Sequence, residues 1–384
     1  MLQCGKGFNS SIWLLGQKVK KLLIWASLCI SLLLSSLLAS ALNFEIEESP
    51  QLGLLKDFKA SELCIVAENT ENYLINNTED TFAVHAGTAI DTEISLKQVE
   101  KTLAFICKTY RDDVKAKRQS RLHDNKFLLD HFQFYRWSPD IKTAQQIAKK
   151  STNAVKTRML NAIPDEQIFL TKYYTKLLDA SAVKTQKYNQ ALYALPKDEQ
   201  GMSLAYADEK KTQLTRFKYT RQQVIEGALL VKNLAKPLVW ITEEALHDVL
   251  LQGTGVLNVD GKQRFFNVHR NNGIAYDYSI GKREQARYWY FAEVSSIMGY
   301  GQTLATKIAV KPQVTFAGNV ADLGLGKLVM VSYKHNDQKV NRIGVLADQG
   351  GAFDNNLFQL DLLVDSYRGW QDYHQANKTL PDYA

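Results

Sequence analysis

Apolar and polar positions alternate differently in the two halves of the chain. In "SLKQVEKTLAFICKTYRDD" (95–113) Leu96, Val99, Leu103, Ile106 and Cys107 recur at helical spacing, and "TAQQIAKKSTNAVKTRML" (143–160) repeats the habit. Between them "NKFLLDHFQFYRWSPD" is an aromatic cluster ended by Ser-Pro, suited to docking these helices on a core. From Phe44 to about Leu160 the pattern therefore predicts mostly helix. From Ile168 onward it changes to short alternating runs: "IFLTKYYTKLLDA", "YNQALYALP", "GVLNVDGKQRFFNVHRNNGIAYDYSI" and "KLVMVSYKHNDQKVNRIGVLAD". Asp260-Gly261, Asn272-Gly273 and Asn336-Asp337 are the hairpin or loop candidates, and one helical stretch, "TEEALHDVLLQ", interrupts the strands. The predicted class is α+β with a mainly β core, helices first and sheet later, the β part forming barrels or sandwiches.

The first forty residues follow neither pattern. Lys18, Lys20 and Lys21 precede the apolar run "LLIWASLCISLLLSSLLASALN", which ends in Ala39-Ser40-Ala41. A basic start, an apolar run and a small-residue site mark residues 1–41 as an export signal, although the run is also close to the length of an uncleaved anchor. Of the formal charge of +7, four units are Lys6, Lys18, Lys20 and Lys21, so the remainder of the chain carries +3. Such mild basicity argues against a nucleic-acid partner and suits an acidic polymer equally well. Two of the four cysteines, Cys4 and Cys29, lie in the leader. Cys64 and Cys107 remain as an even pair in an oxidising compartment, either bridged or buried as free thiols.

The seven histidines are scattered, without a metal-binding spacing, and neither a phosphate-binding loop nor a serine-nucleophile elbow is present. No metal or cofactor is expected. Two glycine-bearing segments carry the candidate chemistry. Residues 250–283 string Gln252-Gly253, Asp260-Gly261, Asn272-Gly273 and Ile280-Gly281 between aromatics, as a wall for an extended polar ligand such as a sugar chain would. In "RIGVLADQGGAFDNNLFQLDLLV" (342–364) an apolar run delivers Asp348 to Gly350 and Gly351, glycines that let a ligand approach the backbone. Burial and the nearby carboxylates Asp354 and Asp361 would raise the pKa of Asp348 and keep its proton available for acid catalysis of glycosidic cleavage.

Taken together, "LTKYYTKLLDASAVKTQKYNQALYALP" (170–196), "LLQGTGVLNVDGKQRFFNVHRNNGIAYDYSIGK" (250–282) and "IGVLADQGGAFDNNLFQLDL" (343–362) resemble the membrane-bound lytic murein transglycosylase A (MltA) family, with its C-terminal three-aspartate domain. The resemblance implies a double-psi β-barrel built from residues 42–168 and 292–384, with a second β-domain, 169–291, inserted to form the other wall of a glycan groove. It implies a monomeric periplasmic enzyme of a Gram-negative bacterium, soluble or membrane-associated. Such an enzyme cleaves the β-1,4 bond from N-acetylmuramic acid to N-acetylglucosamine without water, leaving 1,6-anhydro ends. The alternative on the same fold is a catalytically impaired peptidoglycan-binding protein.

Asp348 matches the family's catalytic aspartate, and Asp361 the second, with a supporting role in hydrogen bonding and pKa. Thr171, Tyr173, Tyr174, Gln252, Gly253, Asn272, Gly273 and Tyr276 match motif positions expected to line the groove, with Gly350 and Gly351 beside the acid. The chain departs from the family pattern where Lys172 and Lys176 replace a glycine and a proline, and where Lys311 of "IAVKPQVTFAG" replaces one of the three aspartates. The usual glycine-rich loop after Asp361 is also missing. A lysine near Asp348 would lower its pKa and oppose the acid role.

Overall fold

The computed structural model describes residues 44–90, 94–350 and 353–384. The predicted leader, 1–41, lies outside the described residues. Among those described, no helix is long and apolar enough to cross a membrane.

The helical part opens with β1 (Phe44–Glu47) and β2 (Leu54–Leu55), then α1 (Ala60–Asn76) and α2 (Leu96–Lys115). Ser95 accepts from Gln98 N while the Gln98 side chain returns to Ser95 N, a reciprocal cap that starts α2. Val99, Leu103, Ile106 and Cys107 are buried on one face of α2, as their spacing predicts. That face packs on α1, to which Cys107 is joined by a disulfide with Cys64. The aromatic stretch supplies α3 (Asn125–His131) and β3 (Phe134–Trp137), which pairs with β1. The next helical run is two helices, α4 (Ile141–Lys150) and α5 (Ala154–Asn161). Asn153 breaks it, because its side chain accepts from Val155 N and Lys156 N and so opens a new helix.

The β part comprises β4 (Phe169–Ala180), β5 (Gln190–Pro196), β6 (Ala235–Ile241), β7 (Thr254–Val259), β8 (Lys262–Asn271) and β9 (Trp289–Val294). It continues as β10 (Ile297–Met298), β11 (Ala309–Val310), β12 (Thr315–Ala317), β13 (Leu328–His335), β14 (Gln338–Asp348) and β15 (Gln359–Tyr367). Asp260 and Gly261 both take positive φ, 50° and 88°, and turn β7 into β8. Asn336 and Asp337, at 49° and 60°, turn β13 into β14.

The expectation of a single helix in this half is incorrect. Besides Glu243–Gln252, capped by Thr242 and ended by left-handed Gly253, there are helices at Leu204–Glu209, Arg221–Ile225, Ala228–Val231, Val320–Leu323 and Trp370–Asn377. Most run only four to six residues, too short to display a 3.6-residue period in the sequence.

A nine-stranded sheet runs β13-β14-β12-β15-β4-β7-β8-β9, with β2 added on β14. The pairs β12·β14, β4·β15 and β4·β7 are parallel. β4 is long enough to serve two partners: residues 169–176 pair with β15 and 177–180 with β7. Alternation along the strands separates two cores. Ile343, Val345, Ala347 and Leu363 join the core of α1 and α2, while Leu346, Leu360, Leu362 and Val364 pack on the other face with Phe316 and Leu170. The architecture is thus mixed α and β with a sheet-rich core. The strand order is a path with two ends, and no closed barrel is found among the described residues.

Candidate active site

Three neighbouring strands bring the two aspartates level. Ala317 of β12 pairs with Asp348 of β14 on one side and with Asp361 of β15 on the other, and Asp361 pairs in turn with Thr171 of β4. The register between β12 and β14 slips at this point: Phe316 faces Leu346, yet Ala317 faces Asp348. The extra residue is a β-bulge, which re-aims the side chain that follows it. Strict alternation would send Asp348 to the side of Leu346. Instead its Oδ2 accepts a 2.8 Å hydrogen bond from Tyr173 Oη, whose ring packs against the core on the opposite face, the one to which Val345 and Ala347 belong.

That bond also reports the shape of the sheet. Tyr173 and Asp348 belong to strands three places apart, about 14 Å in a flat sheet at ~4.8 Å per strand, farther than a tyrosine reaches. The sheet must therefore curl until β4 faces β14.

Asp348 ends β14, and its Oδ1 accepts from Gln349 N at 2.8 Å. Burial raises its pKa to about 6, against the opposing effects of the Tyr173 and Gln349 hydrogen bonds and the positive charge of Lys307. Asp361 is raised to about 7, first by burial and further by the charge of Asp348, with Thr171 and Lys172 opposing. One oxygen of Asp361, Oδ1, is buried without a hydrogen-bond partner, and so is Oε1 of Gln349. Burial, and not a neighbouring carboxylate, holds the proton on Asp348; Asp354 is exposed.

The lysine beside the acid is not the one expected. Lys311 lies in the segment between β11 and β12, lining a cavity of about 660 Å³ with Asp57, Gln313, Arg342 and Asp365. The cation whose field reaches Asp348 is Lys307, on the loop joining β10 to β11. Burial lowers the pKa of Lys307 and Asp348 raises it. Sequence reasoning missed Lys307 because "YGQTLATKIAV" resembles an ordinary polar loop; the loop is tied to β14 by the hydrogen bond from Tyr300 N to Ala347 O at 3.0 Å and by the close approach of Gly299, where an added Cβ would lie 2.6 Å from Ala347 O.

Of the residues read as groove-lining, Thr171 and Tyr173 converge on the aspartates. Thr171 Oγ1 donates to Leu360 O at 3.3 Å and accepts from Gln359 Nε2 at 2.8 Å. Tyr174 points to the other face of β4, stacked on Tyr373 at 4.6 Å in the opposite core. Asn272 is a structural brace: its amide donates to Tyr219 O and Ala286 O and accepts from Tyr288 N, each at 3.0 Å. Gly273 is required by positive φ, 76°, and by Phe217, 2.7 Å from an added Cβ.

Gln252 Oε1 accepts from Lys176 N at 3.0 Å, fastening the helix end before Gly253 to β4. Lys176 and Lys282 both bind Asp248, so the lysine that replaces the family's proline is an ion-pair anchor. Lys172 is tied to Asp382 at 2.9 Å and to Pro381 O at 3.0 Å. Tyr276 leans on the highly exposed Tyr278, ring centroids 5.1 Å apart, at the surface of the 272–287 loop. Gly350 follows the acid, with its carbonyl accepting from Phe353 N; Gly351 lies outside the described residues.

Comparison with known proteins places part of this arrangement. No curated protein matches the chain. Among solved structures, a membrane-bound lytic murein transglycosylase from Agrobacterium tumefaciens is 14% identical, covering 83% of this chain and 90% of its own, with a TM-score of 0.49. MltA from E. coli with bound chitohexaose is 14% identical, covering 86% of this chain and 91% of its own, with a TM-score of 0.45. The lytic transglycosylase LtgG of Burkholderia pseudomallei is 14% identical over 86% and 92%, with a TM-score of 0.42. Residues 169–293 match the model of the MltA specific insert domain, a span from the first residue of β4, through Tyr173, nearly to the end of β9. This segment therefore carries an MltA insert domain, in agreement with the resemblance its sequence motifs indicate.

Proposed function

We propose that this protein is a lytic transglycosylase of peptidoglycan, exported to the periplasm, that cleaves the β-1,4 bond between N-acetylmuramic acid and N-acetylglucosamine with Asp348 as its proton carrier. The observation that carries the reading is the carboxyl of Asp348, re-aimed by a bulge, recessed, held by Tyr173 and retaining its proton up to about pH 6. The membership of residues 169–293 in the MltA insert family supports a glycan strand as the ligand.

Hydrolytic glycosidases need two carboxyl groups because water must be activated or a covalent intermediate formed. A lone acid suffices where the sugar supplies its own nucleophile. Asp348 donates its proton to the leaving glycosidic oxygen as the C1–O4 bond breaks. The C6 hydroxyl of the muramic residue then closes on C1, and ionised Asp348 takes the proton that this oxygen loses. The product is a 1,6-anhydro end, no water is consumed, and the acid returns to its starting state.

Asp361, on the far side of Ala317, carries a raised pKa of its own and is read as a supporting group that keeps the pocket short of negative charge. The curl that lets Tyr173 reach Asp348 and the parallel pairs β12·β14 and β4·β15 support a double-psi barrel as the body that carries the acid. Residues 169–291 would then be the inserted wall, and the glycan would lie between the two.

Incubation of the purified protein with murein sacculi, followed by mass spectrometry of the soluble fragments, tests the reading. Release of anhydro-muropeptides by the wild type and its loss in Asp348→Asn, by at least about a hundredfold for a lost proton carrier, are expected. Fragments with reducing ends would replace the mechanism by hydrolysis. Binding to sacculi without release would make the protein a peptidoglycan-binding module.

A further inference from the structure

Asp80 lies 268 positions before Asp348 and belongs to no motif of the sequence. It is 2% exposed, and its Oδ2 accepts from two phenols, Tyr73 Oη at 2.7 Å and Tyr300 Oη at 2.9 Å. The two rings meet edge to face with centroids 5.6 Å apart. Burial and the carboxylate both push these phenols above the usual tyrosine range, so they remain donors at any physiological pH.

Tyr300 is bound at three points. Its hydroxyl holds Asp80, its N donates to Ala347 O at 3.0 Å, and its carbonyl accepts from Ile308 N at 2.8 Å. Ala347 directly precedes Asp348, and Ile308 directly follows Lys307. A second rung, Gly299 N to Ile308 O at 2.8 Å, closes the loop on itself. Gly299 lies so close to Ala347 and Asp348 that no side chain fits there.

We infer that Asp80 is a positioning residue: through Tyr300 it fastens the 299–308 loop against the end of β14, and so holds the ammonium of Lys307 facing the Asp348 carboxyl. The other groups that bear on Asp348 are Tyr173 and the amide of Gln349, both donors, while Asp361 looks on from β15; β12 contributes only Ala317. Lys307 is therefore the only cation among these groups. Its placement sets the pH at which Asp348 yields its proton. The inference deepens the proposed function and rests on Asp348 being the proton carrier there.

The test is the pH profile of kcat/KM for anhydro-muropeptide release. Activity of a proton donor falls as pH rises through its pKa, and loss of a nearby cation raises that pKa. Lys307→Met is expected to move the alkaline limb upward by about one pH unit, the lower end of what one close charge does. Lys307→Arg is expected to restore it. Tyr300→Phe removes one hydroxyl and keeps the ring; it is expected to move the limb in the same direction, and the double variant no further than Lys307→Met alone.

An unchanged limb in Tyr300→Phe, with activity reduced equally at every pH, would make the Asp80–Tyr300 bond merely structural and overturn the inference. Additive shifts in the double variant would overturn it also. Full activity in Asp348→Asn would instead overturn the proton-carrier reading, and is scored separately. Asp80→Asn keeps an oxygen that both phenols can use and guards against loss of folding: a limb near the wild-type one is expected there, a shift matching that of Tyr300→Phe is expected in Asp80→Ala, and a wild-type limb in Asp80→Ala counts against the inference.

Discussion

Asp361 shows at the scale of one residue what a buried acid does to the fold. Below about pH 3.8 its carboxyl is protonated whether the chain is folded or not. Between there and about pH 7 the unfolded chain loses the proton and the folded chain keeps it, so stability falls as pH rises through that window. Asp361→Asn removes the titration. The stability difference between variant and wild type, read from urea unfolding, is therefore expected to move in the variant's favour by about 1–3 kcal/mol between pH 4 and pH 8. A pH-independent difference would mean that Asp361 is ionised in the fold at neutral pH. Asp348 was legible in the sequence as an acid at a strand end because an apolar run followed by glycine states that arrangement locally. Lys307 was not legible, and Lys311 was misread, because which lysine faces the acid depends on a loop docking across the sheet.

β14 and its neighbours show what strand pairing adds to residue chemistry. Gly344 lies mid-strand, where a glycine ordinarily weakens a sheet. A Cβ there would stand 2.8 Å from the Val314 backbone and from the Phe316 ring, so the glycine admits β12 alongside β14. Gly344→Ala is expected to cost about 1–3 kcal/mol in thermal or urea unfolding, as overpacking of a filled core does. A neutral result would show that β12 can move away without loss. The hairpin turns at Asp260-Gly261 and Asn336-Asp337, the capped helix α2 and its buried face were all legible, since each rests on contacts within a few residues. The bulge at Ala347 and Asp348 was not, because a register slip exists only between two strands.

At the scale of the molecule, β4 joins two stretches of the sheet. Its first half pairs with β15 and its second half with β7, so the segment 169–293 shares a continuous sheet with the chain on either side. Expressed alone, that segment would expose the β15-facing edge of β4, an unpaired strand edge of the kind that invites association. It is expected to aggregate or remain partly unfolded by size exclusion and circular dichroism; a soluble, cooperatively folding monomer would show that the segment is autonomous. The amino-acid sequence by itself determined the class of the fold, the longer helices, the hairpins at Asp260-Gly261 and Asn336-Asp337, the family motifs and the aspartate to which they point. These depend on periodicity, capping and turn chemistry, which act over short stretches of chain. Only the tertiary structure decided that Tyr173 and Lys307 attend Asp348, that Tyr174 and Asn272 serve packing, and that Asp80 reaches the site at all. Those facts depend on a curled sheet and a docked loop, where residues far apart in the chain meet through burial and hydrogen bonds that no local pattern encodes.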